Sequence, residues 1–323
     1  MQKSAILVLL CPLLLCGCDK PEGQPLQTRE LSYQGALTAD LSADSHTALV
    51  STAQQITVWD LKEDKQRYRW GMDSPDGNLV FVSRFSPEAS HAVTATMTTF
   101  ALWRLADGQS VGYYSLPESR LRDIALSESG RFVLIGREDG KAEFVDLTSG
   151  RRLQFLGHTE QVNTVDLSAN GRYALTGGND YSAYLWDTQS GQVIHRFNHG
   201  SRVTLVRLDP QGRYAFTASS MGQARVWELV SGKEVSRLQM KHRQEIYSNA
   251  RFVNQGQWLL TGSPSRQANL WRVSDGAPLG EWLVTARKGA RPSGAVVYGV
   301  ALGDNSQVVT VSSNGLAETW SLK

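Results

Sequence analysis

The residues that could do chemistry in this 323-residue chain are few and unevenly placed. All three cysteines, Cys11, Cys16 and Cys18, fall in or just after one apolar run, AILVLLCPLLLCG at 5–17. Everything beyond Cys18 is therefore without thiol nucleophiles or thiolate metal ligands, and cysteines gathered in one apolar segment do not form a disulfide framework. Of the six histidines, His158, His199 and His242 recur at intervals of 41 and 43 residues, His46 and His91 occupy equivalent turns, and His195 stands alone. Recurrence at the period of a repeat marks framework positions, not ligands converging on one ion. No HExxH, GxSxG, P-loop or glycine-rich dinucleotide fingerprint is present. The expectation is a non-enzymatic protein with no cofactor and no metal.

What remains is charge. From Asp19 to Asp146 there are 19 acidic and 13 basic residues, a net of −6; from Leu147 to Lys323 there are 12 acidic and 19 basic, a net of +7. The basic half concentrates its cations between apolar runs: Arg202, then Lys241 and Arg243 in KHR, Arg266 in a turn, and Arg287, Lys288 and Arg291 in TARKGARPSG at 285–294. The acidic half offers Asp73, Asp76 and Glu118 in comparable places. Long loops on a short-looped scaffold tend to be functional, so the candidate partner-binding residues are Lys241, Arg243, Arg266, Arg287, Lys288 and Arg291. An acidic protein surface or anionic lipid headgroups fit them. Nucleic acid does not, because the net charge is only +2 and no aromatic residues interleave the cations.

The elements that must position these residues are short strands. In VDLSANGRYALTGGNDYSAYLWDTQSG, 165–191, alternating apolar runs are separated by turns too close together for helices, and QVIHRF at 192–197 completes a four-stranded meander. The first turn reappears as LSADSH (41–46), FSPEASH (85–91), LSESGR (126–131), LDPQGR (208–213), FVNQGQ (252–257) and LGDNSQ (302–307). The third strand ends at Trp59, Trp103, Val145, Trp186, Trp227, Trp271 and Trp320, at intervals of 44, 42, 41, 41, 44 and 49 residues. Two markers in step seven times over define seven repeats and override the two-domain prior of chain length. Trp70 and Trp282 fall in outer strands, where an aromatic serves as edge cover or, if exposed, as a contact.

A unit of this length with four strands and a Trp closing the third resembles the WD-repeat β-propeller family. The resemblance spans 28–323 and implies an all-β, seven-bladed propeller of four-stranded antiparallel blades. It also implies, in the fourth repeat, a hydrogen-bonded line through His158, Thr176, Asp180 and Trp186. Other repeats depart from it: Met221 and Ser265 stand where the aspartate should be, and Val145 replaces a Trp. The seventh repeat lacks a fourth strand, and the extended run PLQTREL (25–31) is expected to supply it and close the ring.

LCGC at 15–18 resembles the bacterial lipobox, which implies a signal peptide over 1–17, a lipidated Cys18 and a polar tether over 18–27. Asp19 resembles an inner-membrane retention signal. The expectation is thus an envelope lipoprotein, lipid-anchored, periplasm-facing and monomeric, acting as a non-catalytic scaffold for an unidentified envelope protein. The competing readings are a ligand-binding or enzymatic propeller using its central channel, which requires polar groups of the innermost strands to converge on one axis, and a purely structural spacer.

Overall fold

The computed structural model describes residues 23–71, 79–116, 118–240, 246–286 and 294–322. The segment read as a signal peptide, 1–17, and Cys18 lie outside the described residues. The fold is an all-β propeller of seven four-stranded antiparallel sheets. In six blades the four strands follow one another in chain order from the channel outward. The fourth blade is typical: Val162–Leu167, Tyr173–Gly178, Ser182–Asp187 and Val193–Asn198.

Local sequence explains this meander. In the first turn Gly171 takes φ of 71°, a conformation that costs glycine no Cβ clash, and its N–H donates to the Ser168 carbonyl. The turn after the third strand is held by Asp187, whose Oδ1 accepts the N–H groups of Gln189 and Ser190 at 2.9 Å each. Arg172 Nε reaches the other oxygen of Asp187 at 2.6 Å and ties the two turns together.

Burial follows position in the blade. Second and third strands are covered on both faces by neighbouring blades, so they read as continuous apolar runs, as in Ala183–Trp186. Outer strands such as Val193–Asn198 keep mostly exposed side chains. The core is therefore a set of apolar layers between blades. One layer joins Phe144 and Phe155 of the third blade to Val165, Tyr184 and Trp186 of the fourth. Close approach is required in such layers: a Cβ on Gly177 would stand 2.5 Å from a methyl of Val203 in the next blade.

Trp70 and Trp282 are buried, each 5% exposed. Trp70 stacks on Trp103 of the second blade with centroids 4.6 Å apart, and its Nε1 donates to the Gly108 carbonyl at 2.8 Å. They cover blade edges and offer no contact surface.

The seventh blade is completed from the other end of the chain. Gln27–Glu30 pairs antiparallel with Leu316–Trp320, Gln27 opposite Thr319 and Glu30 opposite Leu316. Leu26 N–H adds a bond to the Thr319 carbonyl at 2.7 Å. The strand thus begins within the segment read as tether. Leu31, directly after it, is buried in the layer between the seventh and first blades. Deleting residues 25–33 should lower the melting temperature by on the order of 10 °C, measured by circular dichroism; an unchanged transition would refute this closure.

Candidate interaction site

Two kinds of polar group distinguish the blades: those buried within the sheets and those presented at the ring's faces. In the fourth blade His158 Nδ1 lies 3.0 Å from both oxygens of Asp180, and its Nε2 lies 2.9 Å from Thr176 Oγ1. Burial alone would raise the Asp180 carboxyl, but the His158 hydrogen bond and charge, with the Ser182 and Thr159 N–H groups, hold it below its ordinary value. The expected four-membered line is corrected at its end. Trp186 Nε1 is buried with no hydrogen-bond partner. Phe155 stacks on that indole at 4.8 Å with the rings 4° from parallel, so packing sets the ring. Elsewhere the indole–hydroxyl bond does form: Trp103 to Thr94, Trp227 to Thr217, Trp271 to Thr261 and Trp320 to Thr310, at 2.7–3.1 Å. The third blade, with Val145 for Trp, buries an ion pair of Arg137 with Glu143.

The fifth blade shows what the missing aspartate costs. His199 Nε2 is 2.9 Å from Thr217 Oγ1, but Nδ1 is buried without a partner because Met221 occupies the place of Asp180. Burial, reinforced by the Arg225 charge, pushes His199 down to about 4.

Two sets of connections share one face of the ring. Turns between second and third strands hydrogen-bond through their backbones to the connections between blades: His199 N–H to the Tyr181 carbonyl, Ser220 to Arg202, Val284 to Arg266 and Ala36 to Ser313. Of the six predicted contact residues, Arg266 lies on this face, with φ of 71°, partly buried, its Nε donating to the Val284 carbonyl at 2.8 Å. Lys241, Arg243, Arg287, Lys288 and Arg291 lie outside the described residues. So do Asp73 and Asp76, while Glu118 is exposed.

The ends of the 285–294 connection are clamped beside Arg266. Thr285 N–H and hydroxyl both donate to the buried Glu318 carboxylate, the hydroxyl at 2.5 Å. Burial raises the Glu318 carboxyl despite those bonds and the Arg266 charge. At the far end Ala295 bridges to Ser265, and Val296 N–H donates to Ser313 Oγ at 2.9 Å.

Sequence reasoning missed how the innermost strands meet. Arg84 Nη1 donates to the Val165 carbonyl two blades away at 2.9 Å, and Arg251 Nη2 reaches the Leu41 carbonyl, across the seventh blade, at 2.5 Å. Such reaches are possible only near the axis, where Asp40, Asp123, Asp166 and Arg207 also gather. The signal was present in the sequence. Asp40, Arg84, Asp166, Arg207 and Arg251 each stand directly before the Leu or Phe that opens the first turn.

The same face and the axis hold no metal constellation: among the described residues no group of three His, Cys, Asp or Glu side chains is placed to hold an ion. Nor is any helix among them long and apolar enough to cross a membrane.

Because His199 titrates lower in the folded state than its ordinary 6.5, the unfolded chain binds the extra proton between about pH 6.5 and pH 4. Stability should therefore be lost as the pH drops through that window, by up to about 3 kcal/mol. Met221→Asp should give Nδ1 a partner, raise the His199 pKa and flatten that slope. Denaturant titrations of both proteins at pH 7 and pH 4.5 check this, and an unaltered slope would exclude His199 as its source.

Residues 150–187 match the family model described as WD domain, G-beta repeat. The matched segment runs from the outer strand of the third blade, Arg152–Phe155, through the third strand of the fourth, ending at Asp187. It contains His158, Thr176, Asp180 and Trp186. No curated protein matches the chain. The chain is a seven-bladed β-propeller carrying a WD-type repeat across its third and fourth blades.

Proposed function

We propose that the chain is a lipid-anchored, non-catalytic interaction scaffold of the bacterial cell envelope, tethered through Cys18 and facing the periplasm. A single observation carries the scaffold reading: the apolar side chains exposed on the face that bears Arg266. Met97, Tyr181 and Met221 project from turns between second and third strands, and Tyr33, Leu79 and Ile246 from connections between blades. Each is between 41% and 79% exposed. On the opposite face Tyr173, Val193, Ile194 and Val230 are exposed, and they cluster on the fourth and fifth blades instead of recurring around the ring.

Methionine and tyrosine among arginines are the residue types that protein–protein interfaces enrich. A contact built on turns whose backbones are already hydrogen-bonded to their neighbours loses little ordering entropy on binding. The basic residues Lys241, Arg243, Arg287, Lys288 and Arg291, with Arg266, supply the charge that an acidic partner surface would meet, steering encounter more than adding affinity. Lipidation at Cys18 supports lasting attachment, because two or more acyl chains together make release slow. Asp19 favours the inner membrane. The propeller acts as a monomer, its ring already closed on itself.

In-cell crosslinking of the tagged, full-length chain, followed by mass spectrometry, should capture a discrete envelope protein. Met97→Ser combined with Tyr181→Asn should cut that capture by about tenfold at an unchanged melting temperature; asparagine tolerates the positive φ of 64° at that position. Reversing the charge of Arg287, Lys288 and Arg291 together should do the same, and Cys18→Ser should weaken capture. Full capture by all three variants would refute the assignment of this face.

A further inference from the structure

We propose that the mouth of the central channel on the opposite face, where the first turns lie, is a binding site for a small oxyanion, a phosphate or carboxylate, with Arg207 as its anchor and Arg84 and Arg251 beside it. A cavity of about 270 Å³ opens there, lined by these three arginines, by Asp40 and Asp166, and by first turns that include Pro87 and Pro210. Ligand pockets for drug-sized molecules run from roughly 300 to 1,000 Å³. This one is of the size to hold a small acid or inorganic phosphate.

The choice of an anion follows from how the charges are already used. The carboxylates are spent on stitching blades together. Asp40 Oδ1 accepts Leu41 N–H and its Oδ2 accepts Phe85 N–H of the next blade, both at 2.9 Å. Asp123 Oδ2 accepts Val165 N–H at 2.8 Å, and Asp166 Oδ2 accepts Leu208 N–H at 2.7 Å, again one blade onward. The arginines are not spent to the same degree. Each guanidinium carries five N–H donors. Arg84 gives two hydrogen bonds to carbonyls, and its carboxylate neighbours stand off at 3.6 and 3.8 Å. Arg251 gives one to Leu41 and lies 3.5 Å from Asp40.

Arg207 is the least compensated. Its one hydrogen bond runs from Nη1 to the carbonyl of Val206 at 2.7 Å, and it forms no ion pair among the described residues. Burial, then the positive charge of Arg84, pulls it down to about 10 in spite of Asp166, Asp123 and Asp40. It is still protonated at neutral pH, a cation facing a cavity with donors to spare. A partly desolvated guanidinium of this kind is matched by a planar or tetrahedral oxyanion that takes two of its N–H groups at once. The site lies away from the proposed docking face, so the two assignments stand or fall separately.

The test is isothermal titration of the full-length chain with inorganic phosphate and, in a separate arm, with succinate, at fixed ionic strength. Saturable binding in one arm is expected, and which arm shows it decides between phosphate and carboxylate. Arg207→Met should weaken that binding on the order of 10- to 100-fold, with a ligand-free melting temperature equal to or above that of the parent, since an uncompensated charge is removed. Arg207→Lys, which keeps the charge but not the paired donors, should fall between the two and serves if the methionine variant does not fold. Lys62→Met, at an exposed turn, should bind as the parent does. No saturable binding of either anion, or binding by Arg207→Met equal to the parent's, would overturn the proposal.

Discussion

No blade of this molecule can stand alone, because each is apolar on both faces. The layer joining Phe144 and Phe155 to Val165 and Trp186 belongs to two blades at once, and the same holds for every layer around the ring. Burial of this kind is the main favourable term in folding, so the closure of the ring follows from the need to leave no apolar face uncovered. Pairing of Gln27–Glu30 with the seventh blade completes that condition. The turns, the polar lines within blades and the inner-strand carboxylates all presuppose it.

Within that constraint the polar interactions vary freely. The fourth blade has His158, Thr176 and Asp180 in contact yet leaves Trp186 Nε1 without a partner. The fifth keeps the indole and loses the carboxylate. The third dispenses with the indole and buries Arg137 against Glu143. Stacking persists through these changes: Phe155 on Trp186 and Phe197 on Trp227 both stack, at 4.8 and 4.6 Å, with different hydrogen bonds beneath. Apolar fit sets the blade, and the polar line trims it.

The periodic features were legible from residue types alone, because a four-stranded blade needs a turn and a closing aromatic at fixed spacing. The seven blades could be read that way, whereas the strand borrowed from residues 25–31 came from the family resemblance and the missing fourth strand of the seventh repeat. The Asn–Gly of LSANGR and the Asp187 turn could be read too, since each is local chemistry. What could not be read was contact between residues distant in the chain. That Arg251 would reach Leu41, or Phe155 take over the setting of Trp186, depends on how far each blade rotates about the axis, and no short window of sequence encodes that. The charged residue before each first turn was visible as a pattern, but its meaning appeared only once five such residues stood around one cavity. The exposed Met97, Tyr181 and Met221 sat in turns whose side chains could have pointed either way.

Closure by Gln27–Glu30 also has a consequence in time. These residues are among the first of the propeller to be made, and their partners, Leu316–Trp320, are the last. At roughly 5–20 residues per second, tens of seconds of synthesis separate the two halves of this pairing. Throughout that interval the first strand has no edge to join, and a chain exported as proposed would complete the pairing only after Leu316–Trp320 had crossed the membrane. The ring is thus a structure that can be finished only from its end, and its assembly is gated by the arrival of one short strand.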